Sequence, residues 1–121
     1  SSRYCNRVGT RSVGNMIIIK TTSSSHKAMK EITNALLNKR YAACVNIIPR
    51  MRSKYVVDGR IVESREVMLL IKTSQEFESK VYETIKELHN YDIPEISTIK
   101  TTNVDKDYLE WLNLSIESES K

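Results

Sequence analysis

Two short stretches of this chain are apolar at every position: Met16-Ile17-Ile18-Ile19 and Val67-Met68-Leu69-Leu70-Ile71. A strand with one wet face alternates apolar and polar residues, so an unbroken run means that both faces are covered. Both runs fall far short of the roughly 18 apolar residues that a membrane span needs. The sequence must therefore build a sheet whose two central strands are buried front and back.

The segments between these runs give the order of elements. Residues 15–22 form the first strand, and Ser23-Ser24-Ser25 then offers helix N-caps. Ala28, Met29, Ile32, Ala35 and Leu36 recur at helical spacing, which predicts a helix to about Arg40. Residues 41–57 are extended, Asp58-Gly59 is a hairpin turn signal, and residues 60–73 return. Pro49 cannot donate to a ladder, so the outgoing arm is an edge strand, bent or bulged at that point. Thr73-Ser74-Gln75-Glu76 fits a capping box. The second helix follows to about Leu88, with Phe77, Val81, Ile85 and Leu88 as its buried stripe. A strand over 95–101 and a short helix over 105–115 complete the domain. Residues 1–14 read as a disordered leader and 117–121 as a frayed tail.

Strand, helix, strand, strand, helix, strand is the split βαβ order. It predicts an α+β, ferredoxin-like βαββαβ antiparallel sheet with two helices on one face, a long β2–β3 hairpin and a short C-terminal helix. In that topology the first and third strands are central, and these are the two unbroken apolar runs. Two helices cover only one face, and the terminal helix is too short to cover the other. A second copy of the chain is the economical cover. The hairpin agrees: arms of about 14 residues at 3.3 Å each reach roughly 45 Å, whereas a domain of this size has a radius of gyration of about 13 Å. A ribbon that projects so far should clasp a neighbour.

Composition narrows the function. Net charge is +4, from 19 basic and 15 acidic residues, and the bases are scattered among acids, which describes a solvated surface rather than a nucleic-acid footprint. The central strands carry no aromatic residues on which bases could stack, so the RNA-recognition use of this topology is rejected as well. The two cysteines, Cys5 and Cys44, form no framework, and a reducing, cytoplasmic setting follows; no signal peptide is visible, although a removed targeting segment stays open. GxSxG, HExxH, Walker and dinucleotide motifs are all missing, so no enzyme is expected.

Chemistry concentrates at Leu88–Glu95, where His89, Tyr91, Asp92 and Glu95 share an elbow that Pro94 forces to be extended. The elbow fits two readings, a site beside the sheet and a capped helix end with His89 against the dipole. Glu66 precedes an apolar run, where a carboxylate needs partners; Lys72, His89 and the elbow amides are the candidates. Tyr108 and Trp111 share a helix face, as packing anchors or as a cleft wall.

Ala42-Ala43-Cys44-Val45-Asn46-Ile47-Ile48-Pro49, Tyr55, Glu66-Val67 leading to Ile71-Lys72-Thr73, His89-x-Tyr91-x-x-Pro94-Glu95 and Tyr108-x-x-Trp111-Leu112 together resemble the CutA divalent-cation tolerance family over about residues 15–116. The resemblance implies a ferredoxin-like homotrimer clasped by its hairpins and a role in divalent metal tolerance or response, with copper binding in some members. Several positions depart from the family pattern. Lys20 stands where copper-binding members carry a cysteine, Leu88 where a second histidine precedes His89, Asn90 where proline is usual, and Val57 where an aromatic is usual. The expectation is a polar cleft between subunits, with Glu66, Lys72, Tyr91, Glu95 and Trp111 facing a ligand. His89 and Glu66 would meet copper or another divalent cation weakly, and no cofactor is required. The alternatives are a small-metabolite sensor similar to the PII proteins, and a trimeric scaffold for a partner protein.

Overall fold

The structure is a computed structural model that describes residues 15–117. The expected leader over 1–14 and the end of the expected tail, 118–121, lie outside the described residues. The elements are β1 (Met16–Ser23), α1 (His26–Asn38), β2 (Cys44–Val57), β3 (Arg60–Ser74), α2 (Glu78–Leu88), β4 (Ile96–Lys100) and α3 (Lys106–Glu117). One antiparallel sheet runs in the order β2-β3-β1-β4. The two unbroken apolar runs are thus the two central strands, in the ferredoxin-like order expected.

Side-chain alternation divides β1 and β3 between two faces. Ile17, Ile19, Val67, Leu69 and Ile71 are buried against Met29, Ile32 and Leu36 of α1 and Val81 and Ile85 of α2. On the opposite face, α3 packs Leu112 and Ile116 over Met16, with Ile18 at the margin. The terminal helix therefore roofs one end of the second face and leaves the rest open. Ile18, Met68 and Leu70 are half-buried there, and Ile48 and Ile99 on the flanking strands are 40% and 47% exposed.

Helix α1 begins on Ser25, whose Oγ accepts from Ala28 N–H at 3.0 Å. It ends two residues earlier than its apolar spacing suggests. Arg40 takes a left-handed φ of 61°, Arg40 N–H donates to Leu37 O, and Tyr41 N–H donates to Leu36 O. These bonds make a Schellman close, with arginine where glycine is usual. The capping box expected at Thr73–Glu76 does not form. Strand β3 continues through Ser74, a single 3₁₀ turn over Gln75–Phe77 precedes α2, and the Thr73 hydroxyl donates instead to Tyr41 O at 2.6 Å. A buried strand position overrode the local capping signal, because Thr73 is fully buried and a buried hydroxyl must be bonded.

The hairpin projects as its length requires. Asp58 and Gly59 both have positive φ, 51° and 77°, the pattern of a type I′ turn between the paired Val57 and Arg60. A Cβ on Gly59 would meet nothing within 4 Å, so any cost of substitution there comes from the backbone alone. Gly59→Val is expected to destabilise the ribbon by about 1–2 kcal/mol, measured as faster amide exchange at 54–63 with the sheet core unchanged.

Pro49 sits in the expected bulge. From Ile48↔Met68 to Met51↔Glu66, β2 advances three residues while β3 advances two, and Arg50 absorbs the difference with a φ of 56°. Beyond the bulge, Arg52 faces Arg65 across the ladder, an unfavourable like-charge pair. Arg52 is drawn diagonally into a two-bonded fork on Glu63, Nε and Nη2 each at 3.0 Å. That hydrogen bonding, with Arg52's charge and that of Arg65, holds the Glu63 carboxyl below its ordinary value. The stabilisation is present above the unfolded-chain value and is lost as pH falls through the lowered one; on so exposed a ribbon it is small and screened by salt.

Candidate functional site

The elbow between α2 and β4 is tied to the end of β1 and the first residue of the β1–α1 loop by three consecutive residues on each side. His89 Nε2 is 2.8 Å from Thr22 O, Ser23 Oγ donates to Asn90 Oδ1, and Ser24 N–H donates to Tyr91 Oη at 2.9 Å. Tyr91 N–H donates to His89 Nδ1 at 3.0 Å. A backbone N–H can only donate, so Nδ1 is the unprotonated nitrogen and Nε2 carries the hydrogen that Thr22 O accepts. Both ring nitrogens are thereby engaged within the chain itself. The ring also packs on that of Tyr91 at a centroid distance of 4.9 Å.

Glu66 lies on the second face of β3, at the register where pairing resumes past the bulge. Its Oε1 accepts from Ser53 Oγ at 2.7 Å and its Oε2 from Tyr91 Oη at 2.8 Å. Hydrogen bonds to an ionised acceptor are about twice as strong as neutral ones. Each oxygen still keeps a lone pair for a further partner. Glu95 forms an ion pair with Lys20 at 3.1 Å on the same sheet face.

Of the expected cleft residues, Glu66 and Tyr91 are thus in direct contact, with His89 one bond behind, and Glu95 meets the second face through Lys20. The expected Glu66 partners Lys72 and His89 are replaced by Ser53 and Tyr91. Lys72 is six residues along β3 from Glu66, about 20 Å at strand rise. Its Nζ lies over the Tyr108 ring at 5.7 Å, and Tyr108 stacks on Trp111 at 5.4 Å. Lys72 and Trp111 therefore form a second cluster under α3, and Trp111 is 47% exposed.

Ser53 and the Thr22–Ser24 segment were not foreseen as partners. The serine run gave only the signal of a helix cap, a role that Ser25 alone fills. Ser53 could have been found from the alternation that puts it on the face of Glu66, but only with the bulge counted. Among the described residues, no group of three or more His, Cys, Asp or Glu side chains is placed to hold a metal ion. Within one chain, the Glu66 carboxylate keeps lone pairs that a cation could meet, whereas His89 could bind one only by giving up a hydrogen bond.

A four-stranded sheet in the order β2-β3-β1-β4, helices on both faces, a projecting ribbon and a carboxylate held by the elbow define a small α+β protein of the ferredoxin-like class. The sequence profile described as CutA1 divalent ion tolerance protein matches residues 17–115. The divalent-cation tolerance protein CutA of Thermus thermophilus is 38% identical over 95 residues, which cover 78% of this chain and 92% of that protein. Among solved structures, the CutA1 of Ehrlichia chaffeensis superposes with a TM-score of 0.81 at 30% identity, covering 87% of this chain and 98% of that one. One described as the periplasmic divalent cation tolerance protein CutA of Archaeoglobus fulgidus gives 0.78 at 31% identity, covering 84% and 99%. The chain belongs to the CutA divalent ion tolerance family. Among the described residues, no helix is long and apolar enough to cross a membrane.

Proposed function

We propose that the protein is a non-catalytic homotrimer acting in divalent metal tolerance, with weak contact to copper or another divalent cation at clefts between subunits. The observation that carries the assembly is the half-roofed second face. Ile18, Met68 and Leu70 lie only partly covered in the middle of the sheet, and the ribbon adds Tyr55, Val56, Val57 and Ile61 at 48%, 67%, 46% and 74% exposure. Exposed apolar residues on the sheet face and on both sides of the ribbon mark interfaces, and the ribbon is the arm that clasps the next subunit.

The cleft contributed by one subunit consists of Glu66, Tyr91 and Glu95. Lys72 and Trp111 lie too far along the sheet to join it from the same chain, so they complete it from a neighbour. Glu66 is the cation contact, with Ser53 and Tyr91 orienting its carboxylate as outer partners commonly do. A lone carboxylate with a histidine already engaged supports weak, oxygen-based binding and requires no resident cofactor. The half-buried free thiol of Cys44 accords with a reducing cytoplasmic setting.

Calorimetric titration with Cu(II) and Zn(II), alongside light scattering, tests this reading. A mass of three subunits and binding weaker than about 1 µM that Glu66→Gln abolishes are expected. A single-subunit mass overturns the trimer. Tight binding untouched by Glu66→Gln puts the cation elsewhere, and no binding at all turns the cleft toward small metabolites.

A further inference from the structure

The ribbon is an arm with little to lean on. Every residue from Lys54 to Ile61 is exposed, and a two-stranded ribbon is marginal by itself. Its β2 arm is interrupted where it leaves the body. Pro49 offers no N–H to the ladder, Arg50 sits in the left-handed region with a φ of 56°, and regular pairing stops at Ile48 and resumes at Met51.

At that level, one carboxylate joins the two ribbon arms to the body. Glu66, on the β3 arm, accepts from Ser53 on the β2 arm at 2.7 Å and from Tyr91 on the elbow at 2.8 Å. Tyr91 is in turn held by Ser24 N–H at 2.9 Å and by its own backbone bond to His89. The posture of the arm is thus set by a chain of bonds that begins on the β1–α1 loop and ends on the far side of the bulge.

We propose that Tyr91, Glu66 and Ser53 form a lock that holds the ribbon in one orientation, and that opening it lets residues 51–65 swing as a unit about the interruption at Ile48–Met51. This inference rests on the reading of the ribbon as the arm that clasps a neighbouring subunit; under that reading, the lock regulates assembly. A locked arm presents Tyr55, Val56, Val57 and Ile61 in a fixed orientation and loses less freedom on docking. An unlocked arm must be ordered in the encounter, so the clasp forms and holds less well.

The test compares amide exchange in the full-length protein and its variants, with light scattering and the rate at which two differently tagged populations exchange subunits. Tyr91→Phe removes the lock's hydroxyl and keeps the ring on His89. It is expected to speed exchange over 51–65 at least tenfold while 67–73 stays within twofold, because a bond to a charged acceptor is lost while the core is untouched. Subunit exchange should quicken about tenfold. Ser53→Ala should act in the same direction, about threefold, and serves should the tyrosine variant fail to fold. The control is Tyr82→Phe, which removes a 2.8 Å bond to Thr98 on the body, away from the ribbon, and should leave both exchange over 51–65 and subunit exchange unchanged.

Exchange over 51–65 within twofold of the parent in both lock variants overturns the lock, as does an increase shared equally by 67–73. A single-subunit mass for the parent protein overturns the clasp and its regulation, while the exchange arm still decides the lock itself.

Discussion

Leu70→Asp is expected to convert the proposed homotrimer to single subunits. Leu70 sits on β3 with Lys20 of β1 and Asn46 of β2 as its ladder neighbours, on the face that α3 leaves unroofed. In the isolated subunit the position is half-buried, so an aspartate there can still reach water and the fold itself should survive. Once a second sheet closes over that face, the carboxylate has no exit. Burying it unpaired costs several kcal/mol, and the substitution enters once per subunit, so the penalty is repeated around the ring. Lys20 offers no full relief, because it is already paired with Glu95 at 3.1 Å. Sedimentation velocity should show one third of the parent mass, with an unchanged far-ultraviolet dichroism spectrum. A trimer that persists would mean that the half-roofed face is not the interface. A variant that unfolds would show that the subunit depends on its neighbours, and Leu70→Asn then gives the milder comparison.

His89→Ala is the second large effect, and its readout is stability. The imidazole donates to Thr22 O and accepts from Tyr91 N–H. Both partners are backbone groups in half-buried or buried residues. Truncation removes two hydrogen bonds worth about 0.5–1.5 kcal/mol each, and leaving their partners unpaired carries the larger desolvation penalty. The loss of ring packing on Tyr91 adds to this. A decrease of about 2–4 kcal/mol in unfolding free energy is expected by urea titration, with Ser23 to Ser25 losing amide protection first. His89→Gln should recover part of the loss, since an amide can donate to Thr22 O. A change below about 0.5 kcal/mol would mean that the elbow is held by Asn90 and Tyr91 without the histidine.

The fold was legible because its strongest signals were redundant. Unbroken apolar runs named the central strands, the Asp58-Gly59 pair named the turn, and Pro49 named the bulge; each agrees with the same topology. Thr73–Glu76 misled because a capping box is a local pattern, and Thr73 is committed to the interior by β3. The end of α1 was missed by two residues because its Schellman close uses Arg40, a residue with no outward preference for a left-handed backbone. At the elbow, composition pointed to residues that bond to one another, and the cap reading of His89 matches its geometry: its backbone N–H closes the end of α2 on Ile85 O, and its ring braces the segment that carries Tyr91. The wiring was not legible. Glu66 finds its partners 13 and 25 positions away in sequence, across a bulge and an elbow, and no spacing rule connects such positions. Lys72 and Trp111 were grouped with Glu66 by motif, whereas strand rise alone separates them along the sheet.

The extra residue at the bulge also works as a phase shifter. Ile48, two positions before Arg50, and Met51, just after it, point to the same side of the sheet, so every residue further out reverses its odd-or-even assignment relative to the base of β2. The outer arm can therefore lengthen or shorten without scrambling its two sides only in matched pairs of residues, two on each arm. A single deletion between Met51 and Tyr55 would either erase the bulge to restore phase or turn Tyr55 and Val57 to the side now held by Arg52 and Lys54. Grafted or redesigned hairpins on this scaffold should accordingly be cut in steps of four residues in all, with the Pro49-Arg50 joint left in place.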